Sequence, residues 1–588
     1  MSLGQGPQQP AAPIGATDQC GTAIFGRAVQ SVDDEVARRR FPDRAHARFR
    51  RAGGRTAAPG LAASTVRTIG RRHQAILLGW YSAPVQPPGI GRAAAKSVSC
   101  FFVVSPKSED AVLDRRTRLL AAAAVTLERL SDVLKPLGAL FGAHGHDLYL
   151  VGGSVRDAVL GRLGTDLDFT TDARPEVVQE LMRGWADHLW DTGGLAFGTV
   201  SASKSGQQLE ITTFRSDAYD RVSRNPQVTF GDTLEGDLIR RDFTVNAMAV
   251  KIGADGELEF VDPLGGMDAL LAGMLDTPAA PHDSFNDDPL RMLRAARFVA
   301  QLGFELAPRV RAAITEMAGE IERITAERIR AELDKLIAAA HPIDGINIMC
   351  ETGLAQLVLP EVPAMKLEID EHHQHKDVYW HSLTVLEQAI DQEEGDPDLV
   401  LRWAALLHDI GKPDTKRNEP GGGVSFHHHE VVGAKMVRKR MRALKYPKQF
   451  TEDVARLVFL HLRFHGYGKG QWTDSAVRRY VTDAGELLPR LHKLVRADCT
   501  TRNKRRAAAL RATYDELEAR IARLQEQEDL DRVRPDLDGN SIMELLGLRP
   551  GPEVGKAWRY LKELRLDRGP MTREEAEAAL REWWKTQG

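Results

Sequence analysis

Gly152-Gly153-Ser154-Val155-Arg156-Asp157, followed by Asp166-Leu167-Asp168-Phe169, is the stretch on which the reading of this chain turns. The apolar run Leu148 to Val151 just ahead of it reads as a short strand. It enters a paired glycine whose backbone N–H groups can approach a triphosphate without interference from a Cβ. Arg156 adds positive charge nearby. Side chains alternate along a strand, so Asp166 and Asp168 share one face and Leu167 and Phe169 the other. Two carboxylates on one face suit Mg²⁺, which takes a few carboxylates together with substrate phosphates. Such ions can clamp the attacking and leaving oxygens of an in-line displacement. A glycine turn or a solvated Asp-x-Asp is common when either stands alone; the two in succession point to phosphate chemistry.

The flanking segments predict an α/β or α+β domain around this strand. From about residue 114, Leu119, Leu120, Leu127, Leu130, Leu134 and Leu137 recur in a helical pattern, with Pro136 and Gly138 read as its close. Runs at 198–202 and 209–214 read as strands. In the second, Glu210 would be a third acid on a neighbouring strand, a metal ligand or base, or else an edge residue in solvent. The polar stretch 217–225 is the candidate flexible loop. Residues 237–249 begin charged and turn apolar, as a helix does when its polar end faces a cleft. Arg240 and Arg241 could then meet phosphates, while Asp242 and Asn246, four apart on one helical face, could recognise a ribose hydroxyl. A surface ion-pair network accounts for the same residues. Asp287-Asp288-Pro289-Leu290-Arg291 opens a further helix with acids at its N-terminus and proline near the first turn. Asp288 and Arg291 present an acceptor and a fork of donors, either to a base edge or to each other.

With 588 residues, 43% of them hydrophobic and 27% charged, the chain can form several cores. No uninterrupted apolar run approaches the roughly 18–20 residues that cross a bilayer, which argues against a membrane role. Cys20, Cys100, Cys350 and Cys499 are too scattered for a disulfide framework or a CxxC zinc pattern, so a reducing cytoplasm is expected. A formal net charge of −3 argues against overall attraction to nucleic acid and leaves room for a local basic surface. Residues 1 to about 108 are rich in Ala, Gly, Pro and Arg, carry no acid between Asp43 and Glu109, and are expected to be mostly disordered. Their Arg clusters could touch RNA or belong to a targeting segment, and they are assigned no function.

A second constellation lies further on. His381 follows Tyr379-Trp380, and an apolar helix from Trp403 ends in His408-Asp409-Ile410-Gly411-Lys412. His427, His428, His429, His461 and Asp498 come later. Imidazole and carboxylate at the end of a buried helix can hold a transition metal, with distant His and Asp completing the shell; helix-capping histidines are the plainer alternative. From Thr501 the chain reads as helical, with the basic residues Arg502, Lys504, Arg505 and Arg506. The turn Gly547 to Gly555 could hold RNA phosphates or simply cap helices.

The succession Gly152 to Asp157, Asp166-Leu167-Asp168, Arg240-Arg241-Asp242-Phe243-Thr244-Val245-Asn246-Ala247, Asp262-Pro263-Leu264-Gly265-Gly266 and Asp288-Pro289-Leu290-Arg291 resembles the class II CCA-adding enzymes, tRNA nucleotidyltransferases of the polymerase β-like superfamily. The likeness spans roughly residues 115–550, and bacterial poly(A) polymerases share most of these motifs. It implies a multidomain α/β plus all-α chain: an extension over 1–110, a small mixed-sheet head over 111–275, a helical base-reading and RNA-binding domain over 276–368, an HD domain over 369–505 and a helical tRNA-binding region over 506–588. It implies template-free addition of C, C and A to tRNA from CTP and ATP with Mg²⁺. Asp166 and Asp168 would bind the metals, with Glu210 as third carboxylate. Gly152, Gly153, Ser154, Arg156, Arg240, Arg241, Asp242 and Asn246 would hold the nucleotide, and Asp288 and Arg291 would read the base. Asp287 stands where many relatives have Glu. C and A both offer an exocyclic amino donor beside a ring-nitrogen acceptor, so one carboxylate–guanidinium pair suits both. Each unsatisfied buried group would cost a wrong base about 1–3 kcal/mol.

The later constellation resembles the HD phosphohydrolase domain, matched by His381, His408, Asp409, His429, His461 and Asp498. This implies a transition metal there: Mn²⁺, Ni²⁺, Co²⁺ or Fe²⁺. The alternatives are a poly(A) polymerase, a partial enzyme adding only C or only A, and, in another class, an HD phosphohydrolase whose head merely binds RNA.

Overall fold

In the computed structural model, the described residues are 106–190, 198–215, 231, 233–367, 377–420, 423–469, 472–501, 503–528 and 534–587. The expectations for the N-terminal extension, apart from its last residues, and for the loop at 217–225 lie outside them. Among the described residues the head is built on seven strands: β1 Leu148–Val151, β2 Asp166–Thr171, β3 His188–Trp190, β4 Thr199–Lys204, β5 Gln207–Thr213, β6 Ala249–Ile252 and β7 Leu258–Val261. Their order is β3-β4-β5-β2-β1-β6-β7. β1 is interior, antiparallel to β2 with Leu150 opposite Phe169 and antiparallel to β6 with Leu150 opposite Val250. β2 and β5 run parallel with Asp168 opposite Glu210. Alternation along β2 buries Leu167 and Phe169, each 1% exposed, and turns Asp166 and Asp168 outward. Burial of side chains this large stabilises the sheet by roughly 1.5–3 kcal/mol each.

Helices α1 (Pro106–Glu128), α2 (Ser131–Ala143), α3 (Gly153–Val159), α4 (Pro175–Arg183), α5 (Leu234–Ile239) and α6 (Gly266–Ala272) complete the head. Pro136 and Gly138 do not close the first helix: the break falls at 129–130, and both residues lie within α2. Pro136 removes one backbone bond, while Val133, Leu134, Leu137 and Phe141 bury the face that holds the helix down. A Cβ on Gly138 would stand 2.6 Å from Ile252 Cγ2 and 2.7 Å from the Gly253 carbonyl, so the glycine serves close approach to β6 and not termination.

Nor is 237–249 one helix. Thr233 caps α5 by accepting from the Gly236 N–H, and α5 ends at Ile239. A single tight turn follows at Thr244–Asn246, then β6. Val245, Ala247, Met248, Ala249 and Val250 are all buried, and a strand flanked by two others in a covered sheet imitates the apolar run of a buried helix. Of the acids at 287–288, Asp288 stands at the start of the following helix and accepts from its Leu290 N–H at 3.1 Å, while Asp287 belongs to the helix before it. α7 (Pro281–Asp287) ends at Asp287, Asp288 is extended with φ −141° and ψ 99°, and α8 runs Leu290–Leu302.

α7 and α8 begin a helical neck with α9 (Pro308–Met317), α10 (Ala326–Ile337), α11 (Pro342–Glu351), α12 (Leu354–Val358) and α13 (Glu361–Ala364). The next domain comprises α14 (Val378–Ile390), α15 (Leu399–Leu407), α16 (Lys412–Thr415), α17 (His429–Ala443), α18 (Lys448–Leu460), α19 (Asp474–Ala484), α20 (Leu488–Ala497) and the long α21 (Lys504–Glu528). Arg402 fastens the neck to it, donating to Glu393 and to the carbonyls of Ile337 and Ala339, each at 2.8 Å. Trp403 Nε1 at 3.1 Å and the Tyr446 hydroxyl both donate to Asp334 on α10. Last come α22 (Gly539–Leu546), α23 (Pro552–Arg568) and α24 (Arg573–Lys585). Gly547, at φ +63°, caps α22, so the capping role is the one seen at this turn. No helix among the described residues is long and apolar enough to cross a membrane.

Candidate active site and candidate metal centre

The head cleft forms where β1 ends. Gly152 has φ +70°, and a Cβ there would lie 2.7 Å from Arg241 Nη1 and 3.8 Å from Asp168 Oδ2. The bare backbone therefore admits a guanidinium beside the acid strand. Ser154 at the start of α3 fixes that strand: its hydroxyl accepts from the Asp168 N–H at 3.0 Å and donates to the Asp166 carbonyl at 3.3 Å. The cleft, about 250 Å³, is lined in part by Asp168, Glu210, Arg240, Arg241 and Arg291. Asp166 is exposed on the same strand face and lies outside that lining.

Burial pushes the Asp168 carboxyl above the usual carboxylate range; Arg241 pulls it down, and Glu210 and Asp166 push it up further. Solvent still reaches its side chain through the open cleft, so the crowding of like charges is the firmer cause. Among the described residues, the groups whose ligand atoms all lie within 4.8 Å of one another do not include Asp166, Asp168 and Glu210; a divalent cation drawing these acids together would reverse the upward push.

The other sequence candidates divide into two groups. Arg291 stays in the cleft, steered by bonds from Nη1 to Ser284 Oγ at 2.9 Å and from Nη2 to the Arg240 carbonyl at 2.7 Å. Asp288 accepts from the Leu290 N–H at 3.1 Å and from Arg328 at 2.8 Å, so the two do not pair with each other. Arg156, Asp242 and Asn246 instead form a buried network. Arg156 donates to Asn246 Oδ1 at 2.6 Å and grips Asp157 with Nε and Nη2. Asp242 Oδ1 accepts from Asn246 at 2.9 Å and from the Phe243 N–H, while Oδ2 accepts from Arg294. Arg294 overcomes the cost of burial and holds the Asp242 carboxyl down at about 2. Both oxygens of Asp242 thus serve the protein, and its meeting with Asn246 comes from a turn, not a helix face. Arg294, absent from the sequence candidates, carries this network into the neck; its spacing of three from Arg291 on α8 was the available signal.

The six residues matched to the HD domain all come together, while His427 and His428 stay outside the two groups. His381, His408 and Asp498 form one group, and Asp409, His429 and His461 another, each with candidate ligand atoms within 4.8 Å of one another. Asp409 joins them: Oδ2 lies 3.1 Å from His408 Nε2 and 3.4 Å from His381 Nε2, and Oδ1 lies 3.2 Å from His429 Nε2 and 3.8 Å from His461 Nε2. Backbone carbonyls fix three of the rings through Nδ1: Ala405 for His408 at 2.9 Å, Phe426 for His429 at 2.7 Å and Val458 for His461 at 2.6 Å. That leaves Nε2 of His429 and His461 buried without a hydrogen-bond partner, which is what a metal would satisfy. Burial and the neighbouring His408 drive the His461 imidazole down to about 3, keeping it neutral and able to ligate. Lys412, passed over in the sequence, donates to Asp409 Oδ2 at 2.6 Å.

Comparison with known proteins agrees with this geometry. Residues 148–276 match the poly A polymerase head domain, 303–365 the probable RNA and SrmB-binding site of polymerase A, and 378–524 the HD domain. These head and HD domains imply the use of divalent metal ions. The A-adding tRNA nucleotidyltransferase of Deinococcus radiodurans is 35% identical, across 74% of this chain and 95% of that protein. The CC-adding tRNA nucleotidyltransferase of Thermus thermophilus is 32% identical, across 74% of this chain and 94% of that protein. The solved CCA-adding enzyme of Bacillus stearothermophilus in complex with CTP superimposes with a TM-score of 0.55 at 26% identity, covering 77% of this chain and 98% of that one. With relatives this similar over nearly their whole length, the chain belongs to the tRNA nucleotidyltransferase family.

Proposed function

We propose that this chain completes the 3′ end of tRNA, adding C, C and A from CTP and ATP without a template, and that it acts in the cytoplasm. The observation that carries the reading is the facing of Asp168 and Glu210 by Arg240, Arg241 and Arg291 across one cleft. Asp166 and Asp168, with Glu210 as third carboxylate, would hold Mg²⁺, which would supply charge stabilisation for an in-line transfer. Arg240 and Arg241 neutralise the triphosphate beside the bare turn at Gly152–Gly153. Arg291, steered by Ser284 and the Arg240 carbonyl, and Asp288, steered by Arg328, present donors and an acceptor to the base. Ser154, Arg156, Asp242 and Asn246 act from beneath by holding these groups in place. The HD cluster holds a transition metal through His381, His408, Asp409, His429, His461 and Asp498.

A narrower reading is favoured by the names of the two relatives matched almost end to end, one A-adding and one CC-adding. Labelled tRNAs ending before CCA, at C and at CC, incubated with CTP, ATP or both, separate the two. Stepwise growth to CCA, reduced at least ~10³-fold in Asp168→Ala, is the expected result. A stop after CC, or extension only of tRNA already ending in CC, gives the narrower activity, and a long A tail would replace both readings with poly(A) synthesis.

A further inference from the structure

A second cleft lies outside the head. It encloses about 1200 Å³, against about 250 Å³ for the head cleft, and lies between α14, α20 and the start of α21. His381 of the HD cluster forms part of its wall, with its Nδ1 3.2 Å from Thr500 Oγ1. Beside His381, Trp380 is 56% exposed, unusual for the largest side chain on a helix whose other face is core. Trp380, Thr384 and Gln388 recur every four residues and line one face of α14 away from the cluster. The opposite wall carries Arg511 and Ala507 on α21. Lys504 shares their helical face, three residues before Ala507 and seven before Arg511. Lys504 and Arg511 are exposed and make no ion pair with any described residue. Arg496, also in the wall, is held by Asp515 and Glu518. The lining acids Asp377 and Asp391 cap the two ends of α14, leaving the stretch between them to neutral and basic groups.

An exposed indole, a row of hydroxyl and amide side chains and an unpaired arginine, Arg511, in the wall of one wide cleft are parts from which single-strand grooves are made: bases stack on the ring and phosphates follow the charge. The volume exceeds the roughly 300–1000 Å³ of small-molecule sites. We propose that this cleft is a groove for single-stranded RNA that leads a strand end to the HD cluster. The proposal rests on reading the six His and Asp residues as a metal centre.

The test uses the full chain and a single-stranded RNA oligonucleotide with a 3′-phosphate and a terminal 4-thiouridine. Photocrosslinks are mapped to peptides, affinity is read by anisotropy, and bound divalent metal is measured separately by elemental analysis. Crosslinks in α14 and the start of α21, competed by unlabelled oligonucleotide and not by a mononucleotide, are expected. Trp380→Ala should weaken binding roughly 5- to 150-fold. The double variant Lys504→Gln/Arg511→Gln should lower the salt-dependence slope by about 0.7 for each phosphate no longer neutralised. Trp380→Ala should still extend tRNA. Crosslinks confined to the head cleft, or equal competition by a mononucleotide, would overturn the groove. Metal bound without crosslinks here would sink the groove and keep the metal centre; crosslinks here without metal would sink the metal centre and keep the groove.

Discussion

At Gly152, backbone conformation and charge placement are the same problem. An L-side chain at φ +70° and ψ −136° costs about 1–3 kcal/mol, and its Cβ, 2.7 Å from Arg241 Nη1, would shift the guanidinium from its place beside the acid strand, where it pairs with Asp237 at 3.1 Å. Gly152→Ala should therefore lower stability by about that amount and slow nucleotide addition roughly 10-fold or more, as single-turnover extension and denaturant unfolding would show; unchanged addition would mean that Arg241 works from another position. Asp242 makes a prediction about pH. Its carboxyl sits at about 2 in the folded protein, below the roughly 3.9 of an unfolded chain. Its contribution, roughly 2–3 kcal/mol, is thus complete above pH 4 and lost as pH falls from 4 toward 2. Asp242→Asn should remove that part of the acid sensitivity. It should also destabilise the protein by about 3–5 kcal/mol at neutral pH, since Arg294 keeps its burial and loses its counter-charge. Urea unfolding of both proteins between pH 2 and 7 would check the two effects.

Elements differ in how openly the sequence announces them. β2 was legible because Asp166-Leu167-Asp168-Phe169 alternates in step with a pleat, and Glu210 fell opposite Asp168 because β5 alternates too. β6 was not, since a strand covered on both faces loses its alternation and 245–250 reads equally well as a buried helix. The duties of Arg156 and Asp242 were hidden for another reason: their partners lie 90 and 52 residues away, and chemistry alone does not say whether a charge faces a ligand or a neighbour. Of three consecutive histidines only His429 enters the cluster, because α17 starts there while His428, at φ +63°, stays outside it. Since Nε2 of His429 and of His461 lacks a partner, removing divalent metal should leave these helix ends poorly satisfied. Chelation should lower the midpoint of thermal unfolding by several degrees, equivalent to about 2.7 kcal/mol when free metal is 100 times its dissociation constant. Asp409→Ala should abolish the difference between chelated and metal-loaded samples in scanning calorimetry.

Across the molecule, the helical neck and the domain that holds the HD cluster are joined by polar contacts. Arg402 closes the ends of neck backbone with two carbonyl bonds while paired to Glu393, and Asp334 receives both Trp403 and Tyr446. Arg402→Ala would orphan a buried carboxylate and two carbonyls, a loss of about 3–5 kcal/mol. Head with neck and HD domain should then unfold in separate calorimetric transitions; a single transition at the original temperature would show that the remaining bonds between them suffice. The strand order has a consequence for biosynthesis. β1 lies between β2 and β6, yet β6 begins at residue 249, about 100 residues after β1 begins at residue 148. While a ribosome makes that interval, this interior strand holds one bare hydrogen-bonding edge, the feature that recruits foreign strands. The growing head therefore passes through a long interval of vulnerability to misassembly, ended only when its sixth strand emerges from the exit tunnel and slides into place.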